Sequence, residues 1–514
     1  MALVHALADM KLHQSSHKEC TIQKLVDALI EKLALPNHFS GLFFVEPDAL
    51  AEVKEFATSD RCRYKQPESC GLIFKRIDIY CVRLYGVFFQ SSGHAAIDYA
   101  HITGVGISQS LAEYLHPHVK DSLFLDLSME DGIVRSKPTY LLQIPASLAV
   151  KERIVSLLKR IPATKAPSTL ISPKRPRTGD IIVPAIGVSD VYLFPTGKAA
   201  LYRLHNYLTI FNDHECISVI FGCVSISLLC ILAVNGARCK HFSNGDNNDL
   251  AALEALCVAE ATADRRVQAL YVEFSCASAF ESLRKLADMH GFVLVVNDIS
   301  ANLASVDVMS IADVLVTDLA RGFSADVKGG SIVLNPNSNT AYQYLKPLLE
   351  RNWRNEVFAG DIVELEYGSR DYLLRSAISN RNAEAIATFL KDKVSKSSVT
   401  LVDYPKFSSG FALYMRDPTS KFVSGYGCLV GVEFEEQNCA VAFHTALKTE
   451  IEANSNDRAT SVVLEDSGLL LRGDQDQLPL ARRGCRAHVI AGLENKDSLL
   501  RSVQQALQIA DANA

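Results

Sequence analysis

Two charged residues close to predicted strand ends could take part in chemistry. Arg321 follows an apolar stretch, residues 314–316, that is predicted to be a strand. A guanidinium stays protonated at any working pH, so Arg321 cannot act as the neutral amine that forms a Schiff base. Lys198 follows a Pro-Thr-Gly turn that is predicted to open a helix, where it could bind an anion together with the first helix amides. The alternative for Lys198 is a lysine directed at the surface.

The elements that must position these residues alternate between strand and helix from about residue 186 onward. Continuous apolar stretches in such a pattern are typical of strands that helices cover on both faces. We therefore predict a mostly parallel sheet between helices in residues 186–365, and a smaller α+β domain in residues 366–514. Residues 1–160 are predicted to form an N-terminal α/β region, and the Pro/Ser/Thr/Lys-rich residues 161–185 a linker.

Periodicity adds detail at three places. Apolar residues between 21 and 35 recur at helical spacing, and residues 77–89 read as a strand. Residues 216–237 carry no charge over nearly the length of a membrane span. They contain Ser, Gly and Cys residues and have no flanking aromatic belt, so a buried strand, a turn at residues 221–222 and a buried helix are predicted instead.

The composition argues against several classes of function. The chain has 514 residues, of which 48% are hydrophobic and 21% charged, an ordinary globular mixture. Its net charge of −6 gives no reason to expect a nucleic-acid partner. The 13 cysteines include no Cys-x-x-Cys pair and no cluster at zinc spacing, so no metal is expected. The first residues lack the features of a secretory signal, and a cytoplasmic location is expected.

From about residue 190, the order of several short motifs resembles the trans-sulfuration family of enzymes that depend on pyridoxal phosphate (PLP), in particular its fungal cystathionine γ-synthase-like members. The motifs correspond to a phosphate-binding turn, an aspartate-bearing strand, a lysine-bearing stretch, a Gly-Gly strand and two C-terminal motifs, at residues 190–200, 292–298, 312–324, 329–336, 369–371 and 491–494. Residues 101–108 resemble the extra N-terminal domain of the fungal branch. The resemblance implies a PLP-dependent transferase fold of type I, with the C-terminal domain and the additional N-terminal region predicted above.

The resemblance also implies which positions hold the cofactor. Arg321 stands where the family has the lysine that forms the Schiff base, and Asn297 where it has the aspartate that keeps the pyridine nitrogen protonated. His488 stands where an arginine for the substrate carboxylate is expected, and Arg486, two residues away, could still take that role. The cofactor-site positions are Thr196, Gly197, Lys198, Ser225, Ala277, Asn297, Asp318, Ala320 and Arg321.

Four of these positions carry further replacements. Ser225 replaces the tyrosine that stacks on the cofactor ring, and Ala277 replaces an asparagine. Asp318 and Ala320 replace two hydroxyl residues that help to hold the phosphate, and an aspartate there would repel a phosphate dianion. We therefore predict a degenerate active site in which no cofactor is expected. The candidate pocket groups are Arg321, Asp318, His488 and Lys198.

Three functions follow as hypotheses. The first is a protein recruited to a specialised-metabolite pathway, either as a cofactor-free enzyme, for example in cyclisation or isomerisation, or as a non-catalytic partner of an active relative. The second is a working PLP enzyme for γ-replacement on an activated homoserine, with Lys198 or Lys328 as a displaced lysine. The third is a plain scaffold protein. The expected partners are a small-molecule ligand and further subunits, in a homo-oligomer (dimer or tetramer) or a hetero-oligomer, with no nucleic acid and no membrane.

Overall fold

The computed structural model divides the chain into two compact units, residues 1–142 with 355–361 and residues 143–354 with 362–514. The predicted linker lies outside the described residues except for Ala185, and the predicted domain boundaries stay predictions. The described residues are 21–60, 62, 71–90, 95–127, 144–159, 185–211, 215–298, 303–320, 323, 327–419, 422–454, 460–464 and 485–513.

The first unit contains a four-stranded antiparallel sheet in the order β1-β3-β2-β4. The helix predicted at residues 21–35 is present but ends at Lys32, and the strand predicted at 77–89 is interrupted by a turn at Tyr80 and Cys81. Its elements are β1 (Phe39–Phe44), β2 (Ile73–Ile79), β3 (Val82–Gln90), β4 (Leu123–Asp126), α1 (Thr21–Lys32), α2 (Asp48–Thr58), α3 (Ala95–Thr103) and α4 (Gln109–Leu115).

The second unit contains a seven-stranded sheet in the order β5-β11-β10-β9-β8-β6-β7. Its strands are β5 (Val191–Phe194), β6 (Ile217–Phe221), β7 (Arg238–Phe242), β8 (Val267–Glu273), β9 (Val293–Asp298), β10 (Val314–Asp318) and β11 (Gly330–Leu334). Strand β11 runs antiparallel to both of its neighbours, and the other pairs are parallel. Five of the strands are buried along their whole length, as expected for a sheet covered on both faces.

Six helices accompany this sheet in the described residues. They are α5 (Pro145–Leu158), α6 (Gly197–Phe211), α7 (Ile226–Ala233), α8 (Asn247–Thr262), α9 (Phe280–His290) and α10 (Asn339–Asn352). The uncharged stretch at 216–237 forms a buried strand, a turn at Gly222 (φ 81°) and a mostly buried helix, as predicted. None of the helices in the described residues is long and apolar enough to cross a membrane.

A second, four-stranded sheet lies in the C-terminal part of the second unit, in the order β12-β13-β15-β14, and is antiparallel throughout. Residues of its strands and of three helices form one hydrophobic core. Helix α11 (Ala359–Gly368) belongs to the first unit up to Asp361 and to the second unit from Ile362. The other elements of this part are β12 (Val399–Asp403), β13 (Leu429–Phe434), β14 (Ser461–Leu464), β15 (Arg486–Ile490), α12 (Tyr372–Lys391), α13 (Phe411–Tyr414), α14 (Gln437–Asn454) and α15 (Lys496–Asp511). The mostly parallel sheet with an α+β C-terminal part confirms the predicted fold class.

A close backbone approach fixes the start of α6 against the large sheet. A side-chain carbon at Gly330, the first residue of β11, would lie 2.2 Å from the backbone oxygen of Thr196. At Gly187, by contrast, the nearest atom would be 3.6 Å away. Only glycine therefore lets β11 and the turn before α6 touch in this way.

We expect Gly330→Ala to lower the free energy of unfolding by about 2–3 kcal/mol, because the methyl group must push backbone apart. Gly187→Ala is the matched control and should change it little. Thermal and denaturant unfolding measure both. Equal stability of the two variants would contradict the close approach.

Candidate functional site

Several strands of the large sheet end at the same edge with polar side chains. Strands β8, β9 and β10 are parallel neighbours and end at Glu273, Asp298 and Asp318. Helix α6 begins at Gly197, directly after β5, which points the same way. The crevice outside the carboxyl ends of parallel strands is the usual place for a ligand in such sheets. We call this region the carboxyl-edge site and define it by Gly197, Ser225, Glu273, Asn297 and Asp318.

Glu273 is the centre of the hydrogen bonding in this site. Its side chain is buried, with 7% of the residue exposed. Ser225, directly before α7, donates its backbone N–H to Oε2 at 3.1 Å and its hydroxyl to Oε1 at 2.9 Å. Asn297 donates its Nδ2 to Oε1 at 3.0 Å, from the position paired with Glu273 on the neighbouring strand. Three donors thus hold one buried carboxyl group.

The surroundings of Glu273 raise its pKa toward neutral pH. Burial is the main cause and raises the pKa of Glu273 to about 7. The hydrogen bonds from Ser225 and Asn297 and the positive charge of Arg486 lower this pKa, but only in part. A carboxyl group with a pKa near the working pH is suited to give and take protons.

The contact with Glu273 gives a physical reason for the amide at position 297. An aspartate in the same place would put two carboxyl oxygens about 3 Å apart, and one of the pair would have to hold a proton. Asn297 instead donates a hydrogen bond and keeps Glu273 in place. The neutral side chain at 297 is therefore matched to the carboxyl group at 273.

A second carboxylate lies at the start of α6. The hydroxyl of Thr196 accepts a hydrogen bond from the backbone N–H of Ala199 at 2.9 Å and caps the helix. A side-chain carbon at Gly197 would lie 2.8 Å from the β-carbon of Asp318, so the two residues are in close contact. Asp318 accepts a hydrogen bond from the backbone N–H of Ala320 at 2.9 Å. A negative group therefore stands beside the predicted phosphate turn.

Arg486 connects this edge to the C-terminal sheet. Its guanidinium donates to the sulfur of Cys223 at 3.4 Å, two residues before Ser225. It also forms an ion pair with Glu433 at 3.5 Å and a hydrogen bond with Asp403. The absence of a side chain at Gly431 makes room for it, because a carbon there would lie 2.6 Å from Nη2. Two carboxylates already bind Arg486, which leaves it less suited to hold a substrate carboxylate.

The structure brings together only some of the predicted cofactor-site residues. Ser225 and Asn297 meet at Glu273, and Gly197, Asp318 and Ala320 meet at the start of α6. Thr196 and Lys198 flank that start. Arg321 lies outside the described residues.

The remaining predicted positions are Ala277, Lys328 and His488. Ala277 is buried in a short 3₁₀ segment, Phe274–Ala279. Lys328 precedes β11. His488 lies opposite Gly431 on β15, two residues from Arg486 and on the same face of the sheet.

Sequence reasoning missed the importance of Glu273, Asp403 and Glu433. Glu273 stands at the end of an apolar strand, and this unusual placement was a usable signal, because an acid there is buried or faces a ligand. The acids on β12 and β13 gave no comparable signal, since their role depends on Arg486 from a distant part of the chain.

A solved structure has the same fold. The cystathionine gamma synthase from Xanthomonas oryzae pv. oryzae, in complex with aminoacrylate and cysteine, matches 73% of this chain and 100% of its own chain, with a TM-score of 0.50 and 16% identity. This likeness shows the fold, which is that of the PLP-dependent transferases of type I.

Sequence comparison identifies the family. The chain is 31% identical over 355 residues to the cystathionine gamma-synthase-like enzyme iboG1 of Amanita muscaria, covering 63% of this chain and 58% of that protein. It is 30% identical over 383 residues to the cystathionine gamma-synthase of Neurospora crassa, covering 71% and 59%. The chain thus spans less than two thirds of the length of these curated relatives. No protein-family model matches. The chain belongs to the cystathionine γ-synthase-like family, which has members in fungal secondary metabolism.

The expectation that the protein uses no cofactor is wrong. The relatives and the solved structure belong to a family that depends on PLP, and nothing in the described residues shows that cofactor binding has been lost. The main reason for that expectation was Arg321, which the structure does not describe.

Two described positions nevertheless do not fit the way in which the family holds PLP. Asn297 offers an amide, bound to Glu273, where a carboxylate is implied. Asp318 offers a carboxylate where a hydroxyl is implied, in contact with the start of α6.

We expect Glu273→Gln to remove a pH dependence of stability. The pKa of Glu273 is raised from 4.5 to about 7 in the folded protein, so the unfolded chain loses this proton first as the pH rises. The wild type should therefore lose about 3 kcal/mol of stability relative to the variant between pH 4.5 and pH 7, and no more above it.

Thermal unfolding of both proteins across this pH range tests the prediction. Glu254→Gln, a change on the exposed face of α8, serves as the control and should follow the wild type. A difference between wild type and Glu273→Gln that stays constant with pH would show that Glu273 does not titrate in this window.

Proposed function

We propose that the protein is a cystathionine γ-synthase-like member of a specialised-metabolite pathway that performs proton transfer at the carboxyl-edge site. Its ligand is held there without a covalent bond to residue 321. Glu273 gives and takes the proton. Membership of a family with fungal secondary-metabolism proteins supports the pathway class, and the contacts of Glu273 support the chemistry.

The single observation that carries this proposal is the buried carboxyl group of Glu273. It lies at the edge where ligands bind to parallel sheets, it is held by Ser225 and Asn297, and its pKa is raised to about 7. A typical carboxylate is a weak base near neutral pH because its pKa is much lower. The raised pKa of Glu273 makes it a better base in that range.

The mode of ligand binding follows from the charges. Arg321 cannot condense with an aldehyde because its guanidinium stays protonated. At the start of α6, the helix amides favour a phosphate, whereas Asp318 opposes it. A phosphorylated ligand would therefore bind more weakly than in a site with a hydroxyl at 318, and without a covalent anchor.

Binding of pyridoxine 5′-phosphate, which lacks the aldehyde, tests the non-covalent site by calorimetry. Asp318→Ser should tighten binding about tenfold, because a like charge beside the phosphate is removed. Asp392→Ser, a change at an exposed position after α12, is the charge-matched control and should bind as the wild type does. Unchanged affinity in Asp318→Ser, or no binding by any of the three proteins, would count against the proposed site.

Restoring the family's lysine tests the missing covalent anchor. After treatment with PLP and borohydride, Arg321→Lys should yield a labelled peptide that contains residue 321, and the wild type should yield none there. Label at Lys198 or Lys328 in the wild type would instead support the hypothesis of a displaced lysine.

The oligomeric state, either a homo-oligomer or a hetero-oligomer with an active homologue, stays a prediction. Size measurements in solution can test it.

A further inference from the structure

A lysine outside the carboxyl-edge site lies over the only tryptophan of the chain. The ammonium nitrogen of Lys151, on α5, is 5.3 Å from the ring centroid of Trp353. The indole N–H of Trp353 donates to the backbone oxygen of Leu193 at 3.1 Å, so the ring covers the outer edge of β5. Tyr192, also on β5, packs edge-on against the indole at 5.7 Å. Trp353 is therefore partly buried within its own unit.

The charges around Lys151 are unbalanced. Lys346, on α10, is the nearby charged group that acts on it, and its ammonium repels that of Lys151. Lys346 is itself bound to Asp190 at 3.1 Å and Glu350 at 3.6 Å. Within the described part of the chain, no carboxylate forms an ion pair with Lys151. Among the residues that the structure describes, this lysine thus has an aromatic neighbour and a like charge but no counter-ion.

These surroundings favour the neutral amine. Burial, followed by repulsion from Lys346, lowers the pKa of Lys151 to about 8. The indole face acts in the opposite direction, because it attracts the ammonium form, but such a contact at a partly exposed site is weak. A substantial fraction of Lys151 is then unprotonated near neutral pH, while an ordinary lysine is almost entirely protonated.

We propose that Lys151 is a modification site that condenses with small planar aldehydes. The amine nitrogen attacks the carbonyl carbon, the oxygen leaves as water, and a C=N bond between Lys151 and the aldehyde remains. The partly exposed ring of Trp353 supplies a flat apolar surface for an aromatic aldehyde. This site shares no residue with the carboxyl-edge site, since it lies along the outer edge of β5, whereas Glu273 lies on β8, four strands along the sheet.

The experiment treats the full chain with a limiting amount of PLP near neutral pH, reduces the product with borohydride and maps the labelled peptides. Lys151 should carry about ten times more label than Lys285, an exposed lysine paired with Glu281, because a larger fraction of it is neutral. Pyridine-4-carbaldehyde has no phosphate. It should also label Lys151 in preference to Lys285 if the neutral amine, and not a phosphate-binding site, determines where the aldehyde reacts. Equal labelling of Lys151 and Lys285 would overturn the proposal.

Two variants make the test specific to Lys151. Lys151→Arg should lose this label but bind pyridoxine 5′-phosphate as the wild type does, so failure here is distinct from failure of the carboxyl-edge site. Lys346→Met should slow labelling of Lys151 about threefold near neutral pH, because loss of the second ammonium raises the pKa of Lys151. A rate that is unchanged or higher in Lys346→Met would contradict the role of the like charge.

Discussion

The hydrogen bonding of one buried carboxyl group organises the candidate site. A carboxylate taken out of water is costly unless donors or a proton compensate it. Glu273 receives three hydrogen bonds, two from Ser225 and one from Asn297. These bonds join the end of β8 to the start of α7 and to β9. The identity of the residue at 297 and the conformation before α7 both follow from the need to satisfy this group.

The polar contacts of Arg486 connect the candidate site to the C-terminal sheet. Arg486 brings together Asp403 and Glu433 from two neighbouring strands and reaches Cys223 in the large-sheet part of the unit. Its charge also lowers the pKa of Glu273. The protonation of Glu273 and the position of the C-terminal sheet are thus electrostatically linked, since a change in one alters the field at the other.

The fold was predictable because it depends on local patterns. Continuous apolar stretches predicted strands such as β8 and β9, and the uncharged residues 216–237 were correctly divided into strand, turn and helix. The hairpin turn at Tyr80 and Cys81 was missed, because neither residue is a usual turn former.

The site was predictable only in part. Positions inherited in order along the chain, such as Asn297 and Asp318, could be named from the sequence, but their partners could not. The contact between Asn297 and Glu273 joins residues on neighbouring strands, and the cluster at Arg486 joins three strands and a turn. Side-chain pairing across such distances leaves no periodic trace in a single sequence. The inference about the cofactor failed for a related reason, because it gave one replaced residue more weight than the family as a whole.

The tryptophan that covers β5 has a spectroscopic consequence. Because the chain contains a single Trp, all indole emission comes from the outer edge of the large sheet. Fluorescence will therefore report fraying of that edge and quenching by an aromatic group attached beside it. Unfolding curves followed by fluorescence describe β5 and its surroundings, and a separate probe is needed for β8, which lies four strands along the sheet.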